Sequence, residues 1–381
     1  MGSGEQAEKR YFALRSDATR YAWWLGRRSI WIRQGIDLAG WRLSRSIYKA
    51  VGKPSGALSW PVGLAFLVLN EPEAMAAIDC KWVVPLLRDA IEQPAAALKP
   101  DIAIDMAGLA YAGLRVSELC GVTESVYREF ALQIAHIYGD RPGAIDGSIA
   151  YGFGRSEVLV DTLAFLCPFL ARAGRWSGEA KFSDLAIRQI RFFLENAVDQ
   201  QTGWVQHGLD RVTGQAFGMI GWGRGVGWLL LGTADTLLEL DSASPAFVWL
   251  ERGILELLEK LKATQRADGH WPWNLVDSDS PPDSSLAALT AYSVARLIGQ
   301  HPTIFRSYSG MCELALHALN QATDQNGRID RTSGEVGDAG TYNLTFGNYL
   351  WSQGPAVAAE RIVQERLTTK FRSDVKFAIS R

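Results

Sequence analysis

Three stretches of this 381-residue chain share one form: Asp199-Gln-Gln-Thr-Gly203-Trp204, Arg266-Ala-Asp268-Gly269-His270-Trp271 and Asp324-Gln-Asn-Gly327-Arg328-Ile329. In each, polar residues lead to a glycine, and an extended or aromatic residue follows. Asp146-Gly147-Ser-Ile149 is a weaker copy, and the glycines at 147, 203, 269 and 327 are 56, 66 and 58 residues apart. That interval holds two helices and two loops, so it marks one repeated supersecondary unit. Glycine suits the left-handed turn after a helix, and the residues behind it can pair as short extended segments. Six such units would take about 330–400 residues, which this chain provides.

Helical periodicity fills the intervals. Apolar residues recur at three- and four-residue spacing over 74–93, 106–120, 158–173, 185–198, 228–240, 247–263, 286–298 and 311–322. Several of these segments are apolar all round, and such helices belong inside a large molecule, beneath an outer layer. Strand signals are scarce, and no Asn-Gly or Asp-Gly pair is flanked by alternating β-branched runs. The expected fold is all-α, a closed toroid of six helical hairpins, the (α/α)6 barrel. An open solenoid fits less well, because the repeats diverge and the loops are rich in glycine and tryptophan.

Composition narrows the function classes. Hydrophobic residues make up 48% and charged residues 21%, as in a soluble globular protein with a large core. A formal net charge of −2 argues against a nucleic-acid partner. Cys80, Cys120, Cys167 and Cys312 are far apart in apolar stretches. They read as buried thiols in a reducing compartment, not as a disulfide frame or a structural zinc site. The five histidines are scattered, so no metal or other cofactor is expected. The first 20 residues lack an apolar leader, and the uncharged stretch 54–70 is broken by Gly56, Pro61 and Gly63. No stable membrane insertion follows, and a cytoplasmic location is expected.

Residues 1–53 carry eleven Lys/Arg against four Asp/Glu, with Trp23, Trp24, Trp31 and Trp41 between them. Basic, tryptophan-bearing helices can lie on membranes. The simpler expectation is a helical arm packed on a barrel that spans 54–381, with arginine heads reaching solvent.

Three regions carry candidate chemistry. Asp161 opens an otherwise apolar helix, where it either caps the helix or faces the cavity as a proton donor. Asp105 stands in the same position before the 106–120 helix and would complete a carboxyl pair if the two helices are neighbours. The segment Trp222-Gly-Arg224-Gly-Val-Gly-Trp228 surrounds one arginine with glycines and tryptophans. Glycines let backbone approach a ligand, tryptophan faces stack on sugar rings, and a guanidinium grips a carboxylate through paired hydrogen bonds. Trp60 and Trp271 are further candidates for an aromatic rim, and 342–351 could close the far side of the cavity.

At these residues the chain resembles the unsaturated uronyl hydrolases, glycoside hydrolase families 88 and 105. Trp222, Arg224, Gly225 and Trp228 match a Trp-x-Arg-Gly-x-x-Trp motif, and Val160-Asp161-Thr162-Leu163 with Pro168-Phe-Leu-Ala171 matches the aspartate segment. His207-Gly208-Leu209-Asp210 is similar to a His-Gly-Trp-Asp-like segment, with Leu209 in place of an aromatic residue. The likeness covers residues 55–360. It implies an (α/α)6 barrel that releases a terminal unsaturated uronic acid from an acidic oligosaccharide. Asp161 would protonate the C4=C5 bond and then activate the water that adds at C5. His207 and Arg224 would hold the substrate, and Trp228 would stack on its ring. Other expectations stay open: a saturated uronidase, a lyase or a sugar epimerase on the same toroid, or a non-catalytic glycan-binding ring. A homodimer is compatible with all of them.

Overall fold

The computed structural model describes residues 9, 10, 12–14, 64, 104, 106–119, 125–336 and 339–363. Asp105, Trp60, Cys80, Cys120, the 74–93 helix and nearly all of the 1–53 arm lie outside the described residues. The longer helices among the described residues are α1 (Met106–Leu119), α2 (Ser125–Gly139), α3 (Val160–Ser177), α4 (Ala180–Ala197), α5 (Gly223–Leu237), α6 (Pro245–Thr264), α7 (Ser284–Gln300), α8 (Ser309–Gln321) and α9 (350–363). Short strands sit between them: β1 (Glu157–Leu159), β2 (Gln206–Asp210), β3 (Ala216–Ile220), β4 (Pro272–Asn274), β5 (Asp277–Pro282), β6 (Thr332–Ser333) and β7 (Phe346–Gly347). They form the sheets β1-β2-β3, β4-β5 and β6-β7, all antiparallel.

Two layers follow from the burial pattern. Helix α3 packs on α1 and α5, and α5 packs on α7, so these make an inner row. Each has an outer partner: α2 on α1, α4 on α3, α6 on α5 and α8 on α7. Every residue of α5 is buried, and so is α7 from Ser284 to Leu297. The outer helices bury one stripe only, as in α4 (Phe182, Leu185, Ala186, Gln189, Ile190, Phe193, Ala197) and α6 (Phe247, Leu250, Ile254, Leu258, Leu261). Spacing of three and four residues puts those side chains on a single face. This is the layering of an (α/α)6 barrel.

The repeat glycines work as read. Gly147, Gly203, Gly269 and Gly327 all have φ between 67° and 88°. A Cβ on Gly147 or Gly269 would also strike the backbone of an outer helix, at Arg188 of α4 and Leu314 of α8. Gly327 meets Lys9 and Arg10 in the same manner. Residues 9, 10 and 12–14 are helical and lie beside this turn, and Gln353 of α9 donates to the carbonyls of Arg10 and Gly327.

Two spans differ from the reading. Helix α2 went unpredicted, although Tyr127, Phe130, Ala131, Ile134, Ala135 and Tyr138 line its buried face. Helix α5 starts five residues earlier than the periodicity predicts, so Arg224 and Trp228 lie in its first turns and not in a loop. Its glycines serve close packing: a Cβ on Gly225 would meet the Trp222 ring, and one on Gly223 the carbonyls of Pro272 and Trp273.

The ends of the inner helices differ in chemistry. Towards the C-terminal ends a charge network runs among α1, α3, α5 and α7. Glu239 accepts from Arg172 at 2.5 Å and Tyr111 at 3.3 Å, and Arg175 pairs with it at 3.2 Å. Asp235 pairs with Arg296 at 3.2 Å and accepts from Tyr292 at 2.8 Å. Such charges are tolerated in a core only with this degree of pairing. At the N-terminal ends lie the loops that carry the candidate site. Among the described residues, no helix is long and apolar enough to cross a membrane.

Candidate active site

Asp161 sits in the first turn of α3, and the helix N-cap, Leu159, makes no side-chain cap bond. Pairing of Leu159 with Gly208 across β1 and β2 brings His207 beside that turn. The Asp161 carboxylate Oδ2 lies 3.1 Å from His207 Nε2. The histidine side chain is 3% exposed and the aspartate 21%, so the carboxyl keeps one open side. The interaction is with a histidine, which separates it from the capping role that the sequence left open.

His207 is held from three directions. Its ring lies 4.5 Å from the Trp222 ring and 5.6 Å from the Tyr342 ring. Its Nδ1 is 2.7 Å from Tyr342 Oη. That phenol accepts from the backbone N–H of Met219 at 2.8 Å and donates to the Ala339 carbonyl at 3.1 Å. Gly218 makes this approach possible. At φ 81° a Cβ there would stand 2.6 Å from Ala339 O and 2.9 Å from Tyr342 Oη.

Arg224 lies behind this group. Its Nη1 donates to the carbonyl and hydroxyl of Ser333 at 2.5 and 3.0 Å, and its Nη2 donates to the Gly334 carbonyl at 2.9 Å. Trp222 and Trp351 flank the guanidinium at 4.7 and 5.4 Å. Asp283 anchors the same strand by accepting from Ser333 N and Ser333 Oγ at 3.1 and 2.7 Å. Burial lowers the Arg224 pKa, while Asp283, Asp161 and Glu335 oppose the shift.

The structure therefore gathers Asp161, His207, Trp222 and Arg224, but with the arginine committed to backbone carbonyls. Trp228 and Trp271 are placed differently from the expectation of stacking faces. Trp228 is 1% exposed and packs on Phe165 at 5.6 Å. Trp271 has no exposed surface, and its indole N–H donates to the Leu261 carbonyl at 2.7 Å. Neither ring offers a face to a sugar. Position explains both: Trp228 lies in the second turn of an all-buried helix, and Trp271 immediately precedes β4 with its indole bonded to α6, so both are core. Leu209 is also fully buried, so its departure from an aromatic residue changes packing under β2 and not a surface platform. His270 is buried, 3.7 Å from Asp268.

Two residues were not singled out by the sequence. Tyr342 fell in a segment read only as a cavity wall. Glu335 follows directly on the strand that holds Arg224, and it is half-buried. Burial pushes its carboxyl up to about 7, with Arg224 opposing. No motif or periodicity marks either position. Among the described residues, no group of three or more His, Cys, Asp or Glu is arranged to hold a metal ion.

Comparison with known proteins gives the fold and family. The chain is similar to a solved structure from Klebsiella pneumoniae described as a possible member of family GH105, at 18% identity and TM-score 0.71, covering 81% of this chain and 82% of that one. It is similar to an unsaturated glucuronyl hydrolase from Bacillus sp. GL1 at 18% identity and TM-score 0.63, covering 80% and 85%. A structure described as a polysaccharide lyase is also similar, at 15% identity and TM-score 0.63, covering 84% and 94%. These likenesses establish the (α/α)6 barrel. No curated protein sequence matches the chain. The profile of Glycosyl Hydrolase Family 88 matches residues 153–361, more than half of the chain, including the whole Asp161–His207–Arg224 group, and the chain belongs to that family.

Proposed function

We propose that Asp161 is the acid and then the base of an unsaturated uronyl hydrolase. The observation that carries this is a carboxyl open on one side and hydrogen-bonded to a buried histidine on the other, at the start of an inner helix. Family membership supports glycoside hydrolysis, and the Bacillus neighbour, named for unsaturated glucuronide hydrolysis, supports the substrate class. Asp161 donates its proton to the C4=C5 bond of a terminal unsaturated uronic acid. The positive charge at C5 is shared with the ring oxygen. Water adds at C5 and returns a proton to the Asp161 carboxylate. The hemiketal opens and the neighbouring sugar leaves, so one water is consumed for each bond broken. One carboxyl thus serves both proton transfers, and the two-carboxylate spacing of ordinary glycosidases does not apply.

His207 orients Asp161, and Trp222 packs on His207. Arg224 braces the Ser333–Gly334 strand and directs positive charge at the same space. Asp105 remains a proposed partner carboxyl, and Trp60 a proposed rim residue. The buried Cys167 and Cys312 thiols fit a reducing, cytoplasmic setting.

The test is turnover of unsaturated disaccharides made by lyase digestion of hyaluronan, heparin and rhamnogalacturonan, followed by loss of the ultraviolet absorbance of the C4=C5 bond. Asp161→Asn is expected to lower the rate by on the order of 10³-fold with the fold intact. Full activity of that variant would remove Asp161 from its role. The His207–Tyr342 contact also suits a lyase base. Growth of absorbance on intact polymer, with no turnover of the unsaturated disaccharides, would favour that second reading.

A further inference from the structure

Three carboxyls act on the buried guanidinium of Arg224, those of Asp283, Asp161 and Glu335, together with the Tyr349 phenol. They come from different elements. Asp161 stands in the first turn of α3, Asp283 caps α7, and Glu335 follows the β6 strand on which Arg224 leans. Their hydrogen bonding differs sharply. Asp283 accepts from Ser285 N, Ser285 Oγ, Ser333 N and Ser333 Oγ at distances between 2.7 and 3.1 Å. Asp161 faces His207 Nε2 at 3.1 Å. Among the described residues, no donor reaches the half-buried Glu335 carboxyl, and Arg224 is the charge that acts on it. The backbone before it is fixed, since Gly334 N donates to the Thr345 carbonyl at 2.7 Å and Gly334 O accepts from Arg224 at 2.9 Å.

An acidic sugar brings a further carboxyl towards this one guanidinium. Arg224 has already given three hydrogen bonds to Ser333 and Gly334, and it is 3% exposed, so it offers the sugar its field more than its donors. An ionised Glu335 would repel the incoming carboxylate across a space of low dielectric. A protonated Glu335 removes that repulsion and carries one O–H to give. Hydrogen bonds from an acid to a carboxylate are short and among the stronger ones. We propose that Glu335 is a specificity-determining residue: as the neutral acid it donates one O–H···O bond to the carboxylate of a uronic acid, and as the ion it turns that carboxylate away. Burial supports the neutral form, for it pushes the Glu335 carboxyl up to about 7 against the opposing pull of Arg224. The proton stays on Glu335 throughout, and the proton that moves in the proposed reaction is that of Asp161. Binding of a uronic acid therefore weakens as pH rises through about 7.

The role of Glu335 rests on the proposed acidic-sugar substrate, but its tests need no turnover. In the full chain labelled with ¹³C at the glutamate side-chain carboxyls, Glu335→Gln assigns one NMR signal by its loss. That signal is expected to titrate with a midpoint near 7, and a midpoint in the ordinary glutamate range overturns the proposal. Glucuronate then serves as the probe in calorimetric titrations. With a midpoint near 7, the neutral form falls from about 90% of the chains at about pH 6 to about 3% at about pH 8.5, so wild-type affinity is expected to fall about 30-fold. Glu335→Gln keeps a donor and has no proton to lose. It should bind glucuronate within about threefold of the wild-type affinity at about pH 6, and equally at both pH values. Glu335→Ala has no donor and should bind about tenfold more weakly at both. An equal fall with pH in Glu335→Gln, a wild-type affinity that rises with pH, or no binding of glucuronate at either pH would each overturn the proposal. If glucuronate binding follows the expectation while no unsaturated disaccharide is turned over, the proposed function fails and the role of Glu335 stands. If the disaccharides are turned over with the same KM at both pH values, the hydrolase stands and the role of Glu335 fails.

Discussion

Glu335 shows how a residue's environment, and not its sequence context, marks it for the site. Its carboxyl shares the neighbourhood of Arg224 with Asp161 and is pushed up to about 7 by burial. A folded-state value above the unfolded one means that the folded chain binds this proton more tightly. The corresponding stability is present below the unfolded value of about 4.5 and is lost as pH rises through about 7. We expect Glu335→Gln to remove about 2 kcal/mol of that pH dependence, counting the partial solvation of the group. Urea unfolding on either side of this window checks it, and an unchanged slope with pH in the variant would reject it. By contrast, Asp161, His207, Trp222 and Arg224 were legible because each lies in a compact motif of unusual residues. Their division of labour was not legible. An arginine between glycines reads as a ligand clamp, and only the strand 109 positions later, folded onto it, reveals that its donors go to Ser333 and Gly334.

Elements were legible wherever one physical requirement dominated. The turn glycines could be found because a left-handed φ and contact with the next outer helix both exclude other residues. Gly269 is the sharpest case, with φ 88° and a virtual Cβ only 2.1 Å from the Leu314 carbonyl. Gly269→Ala must strain its own backbone and displace α8, and we expect a loss of about 3 kcal/mol in unfolding free energy. Gly214, also left-handed at φ 71° but with open space around it, isolates the backbone share, so Gly214→Ala should lose only about 1 kcal/mol. Equal losses in chemical denaturation would show that packing against α8 contributes nothing. Where requirements conflict, the reading fails. Glycines in the first turns of α5 argue for a loop by propensity, yet the ring of inner helices needs their small size more than it loses by their flexibility.

At the scale of the whole molecule, a toroid is stable only if its last unit finds its first. The described residues show part of that closure: Arg10, 1% exposed, donates from Nε to Glu360 Oε2 at 2.9 Å, pairs again through Nη2, and donates to Thr323 Oγ1 at 3.0 Å. The partners are 350 residues apart in sequence, so no periodicity could have joined them. Basic composition suggested an arm packed on the barrel, and residues 9, 10 and 12–14 are the part of it seen against the Gly327 turn and α9. Burial raises the Glu360 pKa against the opposing pull of Arg10, so each charge is tolerable only beside the other. We therefore expect Arg10→Met alone to cost about 3–5 kcal/mol, with Glu360 left buried without its cation. Arg10→Met combined with Glu360→Met should recover most of that loss, because an apolar pair of similar volume avoids desolvating two ions. Thermal unfolding of the wild type, the single variant and the double variant measures the difference directly. A double variant as unstable as the single one would mean that the ion pair itself, and not the packing of this segment on α9, holds the ring closed.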